Sequence, residues 1–232
     1  PECYDSELSP REFSYSDKCV EFGISKNDPN LLNFIQEKHD EFHPDAIVSV
    51  NTYPSYIASR IDSRSALWAD LNGWIMAEAQ AQAYKMDSND YLAHYNDMEQ
   101  TILRRADKLS AVSEAERFCI YGELASLGRL CRESFGYEFC HHIPNGTEWF
   151  SGEQPDSQDY AVIKNVPEDA FVLLWVGGYN TWVDEITLFK GVADAMARYS
   201  KLYFVSTGGR IEGLDNKTFD KFQAMIEESG LK

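Results

Sequence analysis

The stretch FVLLWVGGYNTWVDEITLFKGVADAMA, residues 171–197, narrows the choice of folds more than any other part of the chain. Phe171 to Val176 is a short apolar run without alternation, the pattern of a strand buried on both faces in a parallel sheet. Gly177 and Gly178 then allow a sharp turn. Thr181, with Asp184 three residues on, reads as a helix start whose hydroxyl and carboxylate cap free amides. Strand, glycine turn and helix in this order put the turn at the carboxyl end of a strand, where open α/β sheets bind ligands.

The same alternation recurs along the chain. Residues 1–30 read as loop with one short strand near Cys19 to Phe22. A helix is expected over Leu31 to Phe42, stopped by His43-Pro44-Asp45, and then a strand over Ala46 to Val50. A short helix over Ser55 to Ile61 and a strand over Ser65 to Ala69, ending at Asp70, come next. The helical region from Trp74 to about Arg105 is broken near Asp87 to Asp90. A strand from Lys108 to Val112 leads to a helix over Glu114 to Leu127 capped by Ser113, and Tyr137 to Ile143 reads as a further strand. Strands at 171–176 and 202–206 and helices at 182–199 and 216–229 complete the series.

Strands alternating with helices imply an α/β fold of two Rossmann-like, doubly wound parallel-sheet domains. The Pro-, Gly-, Asn- and Asp-rich stretch beginning at Ile143 marks the boundary. Residues 1–150 form the first domain, 151–168 the linker and 169–232 the opening of the second. Two strands make too small a parallel sheet to cover its own faces, so the second domain reads as truncated. Pro1 in place of methionine reads as an absent start.

With 21 Lys and Arg against 38 Asp and Glu, a formal charge of −17 argues against nucleic acid and anionic membrane surfaces as partners. Five cysteines, odd in number and irregularly spaced, read as reduced thiols of a cytoplasmic protein. Cys119, Cys131, Cys140, His141 and His142 lack a CxxC pair, and no metal is expected. No signal peptide or integral membrane segment stands out.

Three stretches in order carry a family likeness. ADKLSAVSEAERFC (106–119), HHIPNG (141–146) and FVLLWVGGYNTW (171–182) resemble, respectively, a strand with its serine-capped helix, a proline-asparagine-glycine loop, and the opening of the donor-binding domain in GT-B fold glycosyltransferases. Within that fold the likeness is to the retaining enzymes of glycosyltransferase group 1, the family 4 type. It implies transfer of a hexose-type sugar from a nucleoside-diphosphate sugar to a carbohydrate or lipid-linked acceptor, with no cofactor and no essential metal. Such enzymes are cytoplasmic or peripheral at a membrane.

The likeness also assigns roles to residues. Asp70, at the end of SALWAD, is matched to the side chain that faces the reacting sugar and would stabilise positive charge developing at the anomeric carbon. Its other reading is a residue that ends the turn before Gly73. Asn72, Gly73 and Trp74 would shape the acceptor side, while Gly177, Gly178, Tyr179, Asn180, Gly208, Gly209 and Arg210 would meet the donor. The family often has Arg and Lys soon after the first glycine turn; here Tyr179, Asn180, Thr181 and Trp182 take that space, followed by Asp184 and Glu185. Tyr179 and Trp182 either stack on a ligand or pack into the core.

Two other functions are open. A nicotinamide-dependent oxidoreductase would need G-x-G-x-x-G, where this chain has Gly177, Gly178, Tyr179, Asn180, Thr181 and Trp182. A noncatalytic binding or assembly module would keep the architecture without the chemistry.

Overall fold

The structure is a computed structural model that describes residues 10–16, 18–146, 166–210 and 217–231. It is a mixed α/β fold with a four-stranded parallel sheet and, among the described residues, seven α-helices. The chain groups into two compact units, one of residues Pro1–Ala77 and Asp90–Gly146, the other of Glu78–Asn89 and Thr147–Lys232.

The first unit opens with a hairpin, β1 (Arg11–Ser16) and β2 (Cys19–Gly23), paired antiparallel with an irregularity between Ser14 and Ser16. Only the second strand is visible in the sequence pattern. The first is held partly by side chains, with the Tyr15 hydroxyl donating to Glu21 Oε2 at 2.6 Å. Helix α1 (Leu31–Phe42) ends where expected: His43 takes a left-handed conformation (φ 49°) and Pro44 cannot continue the helix.

The sheet follows as β3 (Ala46–Val50), β4 (Ala66–Leu71), β5 (Lys108–Ala111) and β6 (Cys140–His142), in that order and all parallel. Helix α2 (Thr52–Ala58) links the first two strands, α3 (Ile75–Met86) and α4 (Asp90–Arg105) the next two, and α5 (Glu114–Ser126) the last. The α2 helix starts three residues before its sequence expectation because Pro54 sits in the first turn, where its missing N–H costs nothing. Strand β4 runs on through Asp70 and Leu71 because these pair with Ser110 and Ala111. Strand β6 is shorter than expected; Tyr137 lies before it, with its hydroxyl donating to the Asp107 carbonyl at 2.8 Å.

Alternation along the strands decides which face is covered. Leu67, Ala69 and Leu71 of β4, Leu109 and Ala111 of β5 and Cys140 of β6 are buried with Ile102, Leu103 and Ala106 around α4 and Ile120 and Leu124 of α5. Each buried leucine or isoleucine contributes roughly 1.5–3 kcal/mol. Val48, Val50 and Trp68 point to the other face and are exposed. Asp107 pins the sheet to α4 by accepting the Leu67 N–H at 2.8 Å and pairing with Arg105 at 3.0 Å.

In the second unit β7 (Phe171–Trp175) and β8 (Leu202–Ser206) form a two-stranded parallel sheet with α6 (Glu185–Arg198) and α7 (Lys217–Ser229). The expectation that the 171–176 strand is buried on both faces is not met: Phe171 is 65% exposed, Leu174 55% and Val176 75%. Two strands offer too little sheet to enclose both of their faces. The helix start also differs. Thr181 lies in a turn, and Asp184 itself is the N-cap, accepting the Thr187 N–H at 3.0 Å. These bonds hold the Asp184 carboxyl below its ordinary range.

Candidate functional site

At the carboxyl ends of β3 and β4, Asn51 stands at φ 70° and ψ 163°, a region that side chains other than glycine rarely enter. Its N–H donates to the Asp70 carbonyl at 2.9 Å, which ties the strained residue to the neighbouring strand end. From the sequence, Asn51 reads only as the start of a turn into the next helix. The available signal was that asparagine tolerates positive φ better than most residues.

Asp70 shares the open face of the sheet with Trp68 and Ser110. The Ser110 hydroxyl donates to Asp70 Oδ1 and accepts the Trp68 indole N–H at 2.8 Å, so a buried serine fixes one carboxylate oxygen. Asp70 is half-buried. After it come Asn72, exposed, and Gly73 at φ 154°. Trp74 is half-buried and its indole N–H donates to Glu123 Oε1 at 2.8 Å.

Behind Trp74 lies a group of carboxyls that no sequence motif connects. Glu99 of α4 is 2% exposed and hydrogen-bonded with Glu123 of α5. Burial pushes Glu99 up to about 8, with the charges of Glu123 and Glu116 adding to the effect. Glu116 Oε2 accepts the Val112 N–H at 3.0 Å, and the Glu116 N–H donates to Ser113 Oγ at 3.1 Å, which confirms Ser113 as the cap of α5.

Cys19, Cys119, Cys131 and Cys140 are free, burial pushes the Cys140 thiol up to about 12, and Cys3 lies outside the described residues. Among the described residues no group of His, Cys, Asp and Glu could hold a metal ion. His141 lies 3.5 Å from Glu138, and His142 lies 3.4 Å from Glu114 with its Nε2 3.1 Å from the Val112 carbonyl.

In the second unit the two glycine turns meet. A Cβ on Gly208 would fall 1.6 Å from the Gly177 carbonyl oxygen, so no side chain fits there. The Tyr179 N–H donates to the Gly209 carbonyl at 3.1 Å, Tyr179 pairs with Arg210 as an isolated parallel bridge, and the Thr207 N–H reaches the Trp175 carbonyl at 3.0 Å. Gly177 adopts φ +144°, and its carbonyl accepts the Trp175 indole N–H at 3.1 Å. The turns that sequence reading put side by side only in function are thus one piece of backbone.

The side chains around these turns are largely engaged. Tyr179 is an interior residue, its ring 4.9 Å from Phe222 and 5.4 Å from Phe219, and burial pushes its phenol up. Its hydroxyl donates to Ser206 Oγ at 3.3 Å, and that hydroxyl in turn donates to the Gly208 carbonyl at 3.1 Å. Asn180 Oδ1 accepts the Trp182 N–H at 3.1 Å, a local turn. Arg210 pairs with Asp220. Trp182, by contrast, is half exposed.

Two lysines converge on Glu185. Lys85 of α3 lies 2.8 Å from Glu185 Oε2, and Lys221 of α7 lies 3.6 Å from Glu185 Oε1. Burial opposes ionisation of Glu185, yet the Lys85 ammonium holds its carboxyl below the ordinary range. Trp182, Tyr84, Asp87 and Asp184 join the two lysines in lining a cleft of about 690 Å³. A sequence scan could not pair Lys85 with Glu185, because the two are 100 residues apart.

No protein-family model matches the chain, and no curated protein matches it either.

Proposed function

We propose that the chain carries acceptor-side and donor-side elements of a nucleotide-sugar-dependent glycosyltransferase of the retaining GT-B type. The observation that supports this best is the contact of the two glycine turns at neighbouring carboxyl ends of β7 and β8, where Gly208 leaves no room for a side chain. Bare backbone at parallel strand ends is what a diphosphate needs for close approach and amide hydrogen bonds. Gly177, Gly178, Gly208 and Gly209 would form that surface, with Arg210 at its rim. In the first unit Asp70 would supply the fixed negative charge, oriented by Ser110, that stabilises an oxocarbenium-like transition state. Asn72, Gly73 and Trp74 follow it as the acceptor side.

A second reading has its own support. Arg210, Lys85 and Lys221 are each paired with a carboxylate, so a diphosphate would have to compete with a carboxylate for each of these cations. That favours a noncatalytic binding module on the same architecture. An oxidoreductase has no such support. Among the described residues no helix is long and apolar enough to cross a membrane.

Release of nucleoside diphosphate from a sugar donor, with water as acceptor, separates the two readings. Asp70→Asn should lower turnover by about a hundredfold while leaving donor affinity within twofold. Equal turnover in wild type and variant would remove Asp70 from the chemistry, and no turnover in either would favour the binding module.

A further inference from the structure

Three carboxyls, those of Glu99, Glu116 and Glu123, are gathered where α4 meets α5 in the first unit. Glu99 is buried, its side chain is hydrogen-bonded with Glu123, and the charged groups that act on it are Glu123 and Glu116, both on α5. Two carboxylates cannot share such a contact when both are ionised, and a carboxyl with a proton to donate satisfies both. Glu123 is therefore held from two sides, by the Glu99 carboxyl and by the Trp74 indole N–H.

We propose that the Glu99–Glu123 pair is a proton-dependent clamp on Trp74, which fixes the Asn72–Trp74 loop at the carboxyl end of β4 while one proton is shared and releases it when that proton leaves. The route is short. Loss of the proton sets the buried Glu99 anion against the half-buried Glu123 anion, with Glu116 as a third charge, and the repulsion is relieved by Glu123 moving away from α4. Trp74 then loses its acceptor or follows it. Gly73, at φ 154°, supplies the joint at which the loop turns, and Asp70 lies three residues before it. The device does not depend on what the strand end binds.

The test is a pH titration of the whole protein from pH 6 to 9.5 by NMR, following the Trp74 indole N–H and the Asn72 and Gly73 amides, with Trp74→Phe used for assignment. A concerted shift with its midpoint near 8 is expected in the wild type, and no shift in Glu99→Gln, whose amide still donates to Glu123 but has no proton to lose. A flat wild-type profile, or the same step retained in Glu99→Gln, would overturn the proposal. Should the variant fail to fold, the wild type labelled at the glutamate carboxyl carbons decides: one carboxyl titrating near 8 is expected, and all titrating below pH 6 would overturn it.

Discussion

Gly208→Ala removes no contact and adds one methyl, yet it should be among the most damaging small changes in the second unit. The added Cβ would lie 1.6 Å from the Gly177 oxygen, 2.4 Å from its carbonyl carbon and 3.0 Å from the Gly178 nitrogen, all backbone atoms with no rotamer by which to escape. Ordinary contact starts at about 3.4 Å or more, so the two turns must part by roughly 1.5–2 Å. That separation breaks the Tyr179 N–H bond to Gly209 and disturbs the Tyr179–Ser206–Gly208 hydroxyl chain. Two lost hydrogen bonds at about 1 kcal/mol each, with about 1–2 kcal/mol for disturbed packing, put the cost near 3–4 kcal/mol.

Gly209→Ala is the control, since its Cβ would meet only the Phe219 ring at 4.0 Å. The assay is urea denaturation of the whole chain together with hydrogen exchange of the Tyr179 and Thr207 amides, which report on the second unit alone. The expected result is fast exchange at both amides in Gly208→Ala and near wild-type protection in Gly209→Ala. Equal behaviour of the two variants would refute the reasoning.

The buried Glu99 makes stability depend on pH in a direction opposite to that of a salt-bridged acid. Its proton stays bound in the folded state up to about 8 but leaves the unfolded chain near the ordinary 4.5. The unfolded state thus holds fewer protons in that window, and stability should fall by up to about 1.4 kcal/mol per pH unit as pH rises through it, then level off. Glu99→Gln should remove that slope, and an unchanged slope in urea midpoints would count against the assignment. Lys85→Met leaves Glu185 buried with Lys221 at 3.6 Å as the cation paired with it, and a loss of roughly 2–3 kcal/mol is expected by thermal unfolding; no loss would mean that Glu185 is already protonated. Ser113→Ala removes the bond to the Glu116 N–H and should cost about 1 kcal/mol, read by the same method, with a change below measurement arguing that Glu116 alone caps the helix.

What the sequence made legible followed from local chemistry. Leu31–Phe42, Ala46–Val50 and Leu202–Ser206 have the bounds that periodicity and the His43-Pro44 stop imply, and Ser113 caps its helix as its place before an acidic first turn requires. What stayed hidden depends on partners distant in sequence. Trp74 reads as part of an acceptor side with nothing to show Glu123 behind it, and Glu99 carries no local signal of its burial. Tyr179 reads as core more readily than as a stacking platform, and what decides it is Phe219 and Phe222 of a later helix. The exposure of Phe171 and Leu174 escaped for the opposite reason: an unbroken apolar run states what a strand would bury, not how much chain is there to bury it.

Whether the paired glycine turns receive a diphosphate is decided by titrating the isotope-labelled protein with UDP, GDP and ADP. Saturable amide shifts confined to Gly177, Gly178, Gly208, Gly209 and Arg210, strongest for one base, are expected. Amides at both turns that stay fixed up to millimolar nucleotide would contradict such binding.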